Sequence, residues 1–237
     1  MRKIFIALIA ILLTGGACVA QGKKVRSAGR AQQTEKTLDE RLKELGYVDI
    51  AELNPEVKVS LMYARDDNFT GKVLYDGMSR AWLHADAAKS VDKAQKALSK
   101  LKPGYALLIK DAARPMSVQR KMFNSVVGTT GANYVANPAK GGGLHNYGLA
   151  VDVTIVDAEG KELDMGTPVD HLGPEANITR EDQLVSSGYM TAQARENRRL
   201  LRRVMTEAGF MPLRSEWWHF NRVSKAEARQ RYKRLDF

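Results

Sequence analysis

The chain has 237 residues, a formal net charge of +10 and a single cysteine. One cysteine excludes an internal disulfide and a cysteine-rich zinc knuckle, and if its N-terminal segment is removed it also excludes a cysteine nucleophile. The positive charge is compatible with nucleic acid or with an anionic surface. The basic residues are spread along the chain, however, and none lies in a motif that recognises bases, so we expect no nucleic-acid partner.

The first twenty residues follow the order of a secretory signal. A basic start precedes an apolar run, Ile4 to Leu13, and small residues follow it. The run is too short to span a membrane, and we expect no transmembrane segment. The small residues before Gln21 indicate cleavage there. Cys18 offers lipid anchoring as the alternative, but Gly15 stands where lipoprotein signals usually carry leucine. We therefore predict a signal peptide over residues 1–20 and an exported product, either periplasmic or secreted.

The remaining chain predicts a flexible basic linker over residues 21–36 and one folded domain over residues 37–237. In chain order, its periodicity and stop signals predict a capped helix over 37–46, a strand over 57–63, helices over 85–101 and 117–126, strands over 105–110 and 150–156, a helix over 191–208, an extended segment over 216–222 and a last basic helix from 224. Residues 128–144 and 157–180 are predicted loops. Because helices and strands are mixed without regular alternation, we expect an α+β fold with a central, mainly antiparallel sheet flanked by helices.

Two histidines and two acids stand out from this pattern. His145 ends a glycine-rich loop that leads into a strand, and Asp152 lies within that strand between two valines. A buried carboxylate needs a partner for its charge, and a metal ion is one of the few adequate partners. His219 is preceded by Glu216 three positions earlier. Two imidazoles and one carboxylate are a common ligand set for catalytic zinc, although a structural hydrogen bond between histidine and aspartate is the alternative that the spacing alone leaves open.

The other two histidines have no such context. His84 begins a predicted helix, and His171 lies in a polar loop. We expect both to face solvent and to take no part in catalysis.

Several ordered motifs together resemble the D-alanyl-D-alanine dipeptidases of the VanX type. The resemblance runs from about residue 45 to residue 222. It rests on the pattern that starts at His145 and includes Gly148, Ala150 and Asp152, on the Glu-Trp-Trp-His segment at 216–219, and on further stretches at 67–71, 111–115, 163–170, 197–201 and 209–210. Several motifs in the same order are much more specific than any one of them.

The resemblance implies a ligand set and a base. His145, Asp152 and His219 would hold one zinc ion in a cleft on the sheet, and Glu216 would activate the attacking water as the general base. Residues 37–237 would then form the zinc-dependent catalytic domain.

The resemblance also implies two residues that contact substrate. Arg114 would stabilise the charge that develops on the scissile carbonyl oxygen, whereas the residues alone also allow an exposed side chain before a proline. Asp170 would bind the free ammonium of the dipeptide, and a loop-capping aspartate is its alternative. Two positions depart from the family: Ala113 replaces an aromatic residue, and Gly143 replaces a serine of the substrate pocket.

The resulting hypothesis is hydrolysis of D-alanyl-D-alanine, or of a close D,D-dipeptide, in cell-wall metabolism. A peptidoglycan D,D- or L,D-carboxypeptidase on the same scaffold is the first alternative, with peptidoglycan fragments as partners. A non-catalytic, zinc-stabilised binding module is the second, and Glu216 argues against it because a structural zinc site needs no base. The sequence indicates no oligomeric state.

Overall fold

The computed structural model of the chain describes residues 36–237. The predicted signal peptide and all of the predicted linker except Lys36 lie outside the described residues. Within residues 36–237, no helix is long and apolar enough to cross a bilayer.

The described residues form seven α-helices and seven β-strands, which we number in chain order. The helices are α1 (Leu38–Glu44), α2 (Ile50–Leu53), α3 (Ala85–Leu101), α4 (Met116–Val126), α5 (Glu181–Ser186), α6 (Ala192–Glu207) and α7 (Lys225–Arg231). The strands are β1 (Val48–Asp49), β2 (Lys58–Val59), β3 (Trp82–Leu83), β4 (Ala106–Asp111), β5 (Ala150–Val156), β6 (Met211–Leu213) and β7 (Glu216–Asn221).

The main sheet has five strands in the order β2-β4-β5-β7-β6. Strand β2 pairs with β4 in parallel, and each of the other neighbouring pairs is antiparallel. Strands β1 and β3 form a separate antiparallel pair. Helices α3 and α6 pack against each other and against strands of the main sheet. The predicted α+β domain with a mainly antiparallel sheet is therefore confirmed.

Strand β5 is the centre of the core, and all seven of its residues are buried. The two long helices pack against the neighbouring strands, α3 against β4 and α6 against β6 and β7, through the apolar stripes that their periodicity predicted. In α3, Ala88, Val91, Ala94 and Leu98 are buried as predicted. Leu101, which we placed on the same stripe, is 40% exposed because it is the last residue of the helix.

The predicted strand over residues 57–63 is wrong in its second half. Only Lys58–Val59 pairs as a strand, and residues 62–64 form a 3-10 turn. Leu61, Met62 and Tyr63 are all buried, and three consecutive buried side chains do not fit a strand with one solvent face.

Several short elements were missed by the sequence prediction. Strands β1 and β3 have two residues each, helix α2 has four, and α5 lies directly after the predicted loop. Elements of this length carry too few residues to show a period, and their formation depends on tertiary contacts.

The segment Leu235–Phe237, which we call the C-terminal strap, crosses the start of α4. The backbone N–H groups of Met116 and Ser117 donate to the carbonyls of Leu235 and Phe237, each at 2.8 Å. Helix α4 has no side-chain cap at Pro115, so the strap satisfies donors that a helix start leaves free. The N–H of Leu235 in turn donates to the carbonyl of Asn146 at 2.8 Å. Leu235 is buried, so the strap is part of the core.

We predict that deletion of residues 235–237 lowers the free energy of unfolding by about 3 kcal/mol. The deletion removes the buried side chain of Leu235 and the two carbonyl acceptors of the N–H groups at the start of α4. Urea unfolding followed by tryptophan fluorescence measures this change. Lys233→Ala, which alters an exposed side chain beside the strap, is the control and should leave stability unchanged. A deletion variant as stable as the control would show that the strap does not hold α4.

Candidate metal centre

One row of the sheet carries three polar residues across three strands. Asp111 of β4 is paired with Asp152 of β5, which is paired with His219 of β7. The pairing depends on a bulge in β4: Ile109 is opposite Val153, so that the register shifts before Asp111 reaches Asp152. Cross-strand partners share one face of a sheet. The bulge therefore brings Asp111 to the face that carries Asp152 and His219.

His145 reaches the same place from a 3-10 turn, residues 144–147, just before β5. Glycines permit the entry and exit of this turn. Gly142 has φ 69°, and a Cβ there would lie 2.2 Å from Oδ1 of Asn146. Gly148 has φ 63°, and a Cβ there would lie 2.4 Å from the Tyr47 ring. Any other residue at either position would displace the turn, and with it His145.

The hydrogen bonds of the two imidazoles determine which ring nitrogens are free. Nδ1 of His145 lies 2.7 Å from the carbonyl oxygen of Ala112, and Nε2 of His219 lies 2.9 Å from Oδ1 of Asn221. Both partners are acceptors, so these nitrogens carry the protons. The lone pairs are then on Nε2 of His145 and Nδ1 of His219, which face each other at 3.2 Å.

The carboxylate of Asp152 completes the group. Its Oδ1 lies 2.9 Å from Nδ1 of His219, and its Oδ2 lies 3.3 Å from Nε2 of His145. The three donor atoms lie within 4.8 Å of one another. Three electron-pair donors at this separation require a positive charge between them. Their chemistry fits a divalent cation that takes nitrogen and oxygen ligands, such as zinc.

The pKa values of Asp152 and His219 also show that the group favours a bound positive charge. Burial raises the pKa of Asp152, but the two imidazoles outweigh burial and hold it below the ordinary aspartate value. Burial lowers the pKa of His219, but the hydrogen bond and negative charge of Asp152 raise it to about 9. A proton thus balances the three donors when no metal does.

Glu216 lies on the same side of β7 as His219, with Oε2 4.0 Å from Nδ1 of that histidine. Residues three apart in a regular strand face opposite sides. The β6–β7 pairing is irregular between Pro212 and Leu213, where the register shifts, and this irregularity turns Glu216 towards the site. Burial raises the pKa of Glu216 to about 7, so its affinity for a proton exceeds that of an exposed carboxylate.

Arg114 is buried beside the group, which contradicts the alternative of an exposed residue before a proline. Its Nε and Nη2 donate to Oδ2 of Asp111, and its Nη1 donates to Oε1 of Gln119 at 3.0 Å. Nη2 also lies 3.9 Å from Oδ2 of Asp152. These contacts occupy three of the guanidinium's five N–H groups. Two remain to meet a ligand.

Asp170 lies in the predicted loop and is half-buried at the site. It accepts a short hydrogen bond from the hydroxyl of Tyr63, and its backbone has φ 62°, a conformation that few residues other than glycine adopt. Burial, followed by the negative charge of Asp152, raises the pKa of Asp170 to about 8. An aspartate that only capped a loop would not need this contact with Tyr63, which lies 107 residues away in the chain.

A cavity of about 380 Å³ joins these residues. All six residues that the sequence analysis singled out line it: Arg114, His145, Asp152, Asp170, Glu216 and His219. Gly143 lines it too, whereas the buried Ala113 donates its N–H to the carbonyl of Trp82.

The two remaining histidines lie outside the group. Nδ1 of His84 accepts from the N–H of Asp86 and caps α3, and Nε2 of His171 lies 2.9 Å from Oε2 of Glu175. Both side chains are partly exposed, about a third of each. They have structural roles that the prediction of solvent-facing side chains did not include.

Sequence reasoning missed the residues that support the site. Tyr63 holds Asp170, Tyr75 donates a short hydrogen bond to Asp111, and Gln119 connects Arg114 to the carbonyl of Ala136 at 2.8 Å. Asn221 was also missed, although its position two residues after His219 in a strand places it on the same face. The other three have no signal in the sequence, since each depends on a distant segment.

Comparison with known proteins agrees with this geometry. The chain matches the model of peptidase family M15, described as D-ala-D-ala dipeptidase, over residues 43–236. The D-alanyl-D-alanine dipeptidase of Escherichia coli (strain K12) is 36% identical over 177 residues, covering 73% of this chain and 82% of that protein. The enzyme of the same name from Enterococcus faecalis (strain ATCC 700802 / V583) is 26% identical over 201 residues, covering 77% and 94%. A buried group of two imidazoles and a carboxylate, with an acid beside it, thus occurs in a chain that matches these enzymes along most of its length, and the chain belongs to the D-ala-D-ala dipeptidase family of peptidases.

Proposed function

We propose that this enzyme is an exported, zinc-dependent dipeptidase that hydrolyses D-alanyl-D-alanine or a close D,D-dipeptide, acting in cell-wall peptide metabolism. The observation that carries the proposal is the set of facing lone pairs on His145 and His219 beside Asp152, in a cavity that also holds a proton acceptor, Glu216, and a cation, Arg114.

His145, Asp152 and His219 would hold the zinc ion, with Ala112 and Asn221 fixing the orientation of the two imidazoles. When bound, zinc acts as a Lewis acid that polarises the scissile carbonyl and makes water more acidic. The site would then lie in a cleft on the face of the sheet where β4, β5 and β7 are adjacent.

Glu216 would move the proton. It accepts a proton from the attacking water as the water oxygen bonds to the carbonyl carbon. The same proton passes to the amine nitrogen as the C–N bond breaks, so the carboxylate is regenerated and two amino acids leave. The raised pKa of Glu216 supports this role, because a general base works best when its pKa is near the working pH.

Arg114 would stabilise the negative charge that develops on the carbonyl oxygen. Asp111 and Gln119 hold its guanidinium in position, and two of its N–H groups remain to donate to that oxygen. Burial lowers the pKa of Arg114, but the charge of Asp111 raises it well above the ordinary value, so the group stays positive. A fixed cation needs no reorganisation when the charge appears.

Asp170 separates the dipeptidase from the carboxypeptidase alternative. A half-buried carboxylate in the cavity favours a substrate ammonium, with which it forms a charge-assisted hydrogen bond. A longer peptide would place a neutral amide there and leave the acid without a counter-charge. The position of Asp170 in the cavity, where Tyr63 holds it, therefore favours a free amino terminus next to the scissile bond.

The metal and catalytic roles are tested by three variants measured together. His145→Ala should lose both zinc and activity, because it removes a ligand. Glu216→Gln and Arg114→Ala should keep about one zinc per chain and lose on the order of a hundredfold or more in kcat, since they remove the base and the oxyanion partner. Zinc content by mass spectrometry and D-alanine release are the measurements. Glu159→Gln, in an exposed turn, is the control.

Two results would contradict these assignments. Loss of zinc from Glu216→Gln would make Glu216 a ligand, and full activity of exhaustively chelated, metal-free enzyme would end the zinc hypothesis.

The substrate class is tested with a blocked amino terminus. N-acetylated D-alanyl-D-alanine should be cleaved at least about thirtyfold more slowly than the free dipeptide, as expected for leaving one charge of a buried pair without its partner. Asp170→Asn should narrow this ratio, mainly by slowing cleavage of the free dipeptide, whereas Asp76→Asn, at an exposed position, should not change it. Equal cleavage of free and acetylated dipeptide by the unaltered enzyme would favour the carboxypeptidase.

Export is tested on the enzyme purified from its host. Mass spectrometry should find a chain that begins near Gln21, because the residues before it follow the pattern of a cleaved signal. A lipid on an N-terminal Cys18 would contradict cleavage at Gln21 and show a lipid-anchored product. An intact Met1 would contradict export.

A further inference from the structure

A dipeptide carries two charges, and the site described above accounts for one of them. Asp170 meets the ammonium. The terminal carboxylate of the leaving residue enters the same cavity and needs a donor or a cation, because desolvating a carboxylate without a partner is unfavourable. The question is therefore which residue of the cavity binds this carboxylate.

The residues nearest His145 in the cavity wall, Gly143 and Leu144, offer no side-chain donor for that carboxylate. Gly143 has no side chain, and its N–H donates to Oδ1 of Asn146 at 2.8 Å. Ala136 and Leu144 beside it are apolar. A built Cβ at Gly143 would lie 3.2 Å from the Cβ of Ala136, so the space that a larger side chain would need is already partly filled.

Lys225 is a cation on this part of the cavity that the proposed reaction does not use. It lines the cavity at the start of α7, and among residues 36–237 no carboxylate forms an ion pair with it. Arg114, the other lining residue with a permanent positive charge, is held by Asp111 and Gln119. Lys225 is exposed overall, and partial desolvation, followed by the charge of the nearby Arg229, lowers its pKa from the ordinary value. An anion placed here would relieve both effects.

The neighbouring arginines are directed elsewhere. Nη2 of Arg229 donates to the carbonyl of Lys140 at 3.0 Å, and Arg234 lies beside the carbonyl of Gly141 and Oδ1 of Asp236. Arg229 and Arg234 add positive charge near this edge of the cavity, but their side chains do not line the cavity. Lys225 is the cation on this edge that lines the cavity.

Strand β7 sets the order of these groups along the cavity. The loop that carries Asp170 is attached near the start of β7, where Trp217 donates to Thr167 at 2.8 Å. Lys225 follows the end of β7, and His219 lies between them. The carboxylate of a dipeptide lies one residue, about 3.5 Å, beyond the scissile bond. With the ammonium at Asp170 and the scissile bond near His219, we expect the carboxylate to extend away from Asp170, and Lys225 lines the same cavity.

We propose that Lys225 binds the terminal carboxylate of the dipeptide and so restricts the enzyme to substrates with a free carboxyl end. The proposal rests on the dipeptidase function proposed above. Together with Asp170, it would give the cavity opposite charges at its two ends, matched to the two ends of a zwitterionic dipeptide.

The test compares Lys225→Gln, Lys225→Arg and the unaltered enzyme on free D-alanyl-D-alanine and on its C-terminal amide. Lys225→Gln should raise KM for the free dipeptide about tenfold, the size expected for one charge-assisted hydrogen bond, with kcat within about twofold. Lys225→Arg should restore KM. For the amide, which has no carboxylate charge, Lys225→Gln and the unaltered enzyme should give the same kcat/KM.

The control is Arg231→Gln, which removes the same charge from the same helix. Arg231 is exposed and donates to Glu227 at 2.6 Å, so its loss should leave KM unchanged. An unchanged KM in Lys225→Gln, or an equal loss on the free dipeptide and on the amide, would overturn the role of Lys225. If the unaltered enzyme cleaved no dipeptide at all, the proposed function itself would fail, which is a distinct result.

Discussion

The buried carboxylate of Asp152 is the constraint around which the rest of the centre is arranged. It lies between two imidazoles that direct their lone pairs at it and at each other. A charge in this position is unfavourable unless a cation meets it. Three features hold the surrounding side chains in an arrangement that favours a bound cation. They are the bulge in β4, the glycines around His145, and the acceptors Ala112 and Asn221.

Two further acids near that centre, Asp111 and Asp170, have different partners. Asp111 pairs with Arg114, and Tyr75 donates to Asp111 from the other side. Asp170 has Tyr63 as its partner but no cation of its own among the described residues. The contrast is informative, because an acid with a permanent counter-charge holds the structure, whereas an acid without one is available to a charged ligand.

The sequence allowed the main parts of the fold to be predicted wherever a local pattern was long enough. Helices α3 and α6 show a period of 3.6 residues over four turns or more, and the sheet strands β4 and β5 are runs of apolar residues. The two-residue strands β1 and β3 have no such pattern. The prediction over residues 57–63 failed because alternation cannot distinguish a strand from a buried turn that tertiary contacts stabilise.

For the site, the sequence indicated which residues take part but not how they are arranged. His145, Asp152, Glu216 and His219 were found from residue type and from a family resemblance, and the fold brings them to one cavity. The two register irregularities that aim Asp111 and Glu216 were not predictable, since each depends on pairing with a strand that is distant in the chain. The supporting residues Tyr63 and Tyr75 were missed for the same reason.

The long sequence separation between the two imidazoles has a consequence for folding. His145 and His219 are 74 residues apart in the chain, and the segment between them includes β5, α5 and α6. Closing a loop of this length is entropically unfavourable until the intervening elements have packed. The two imidazoles therefore come together only when most of the domain is already native. A partly folded chain lacks the complete set of donors, so binding of a metal ion would follow folding and would not nucleate it.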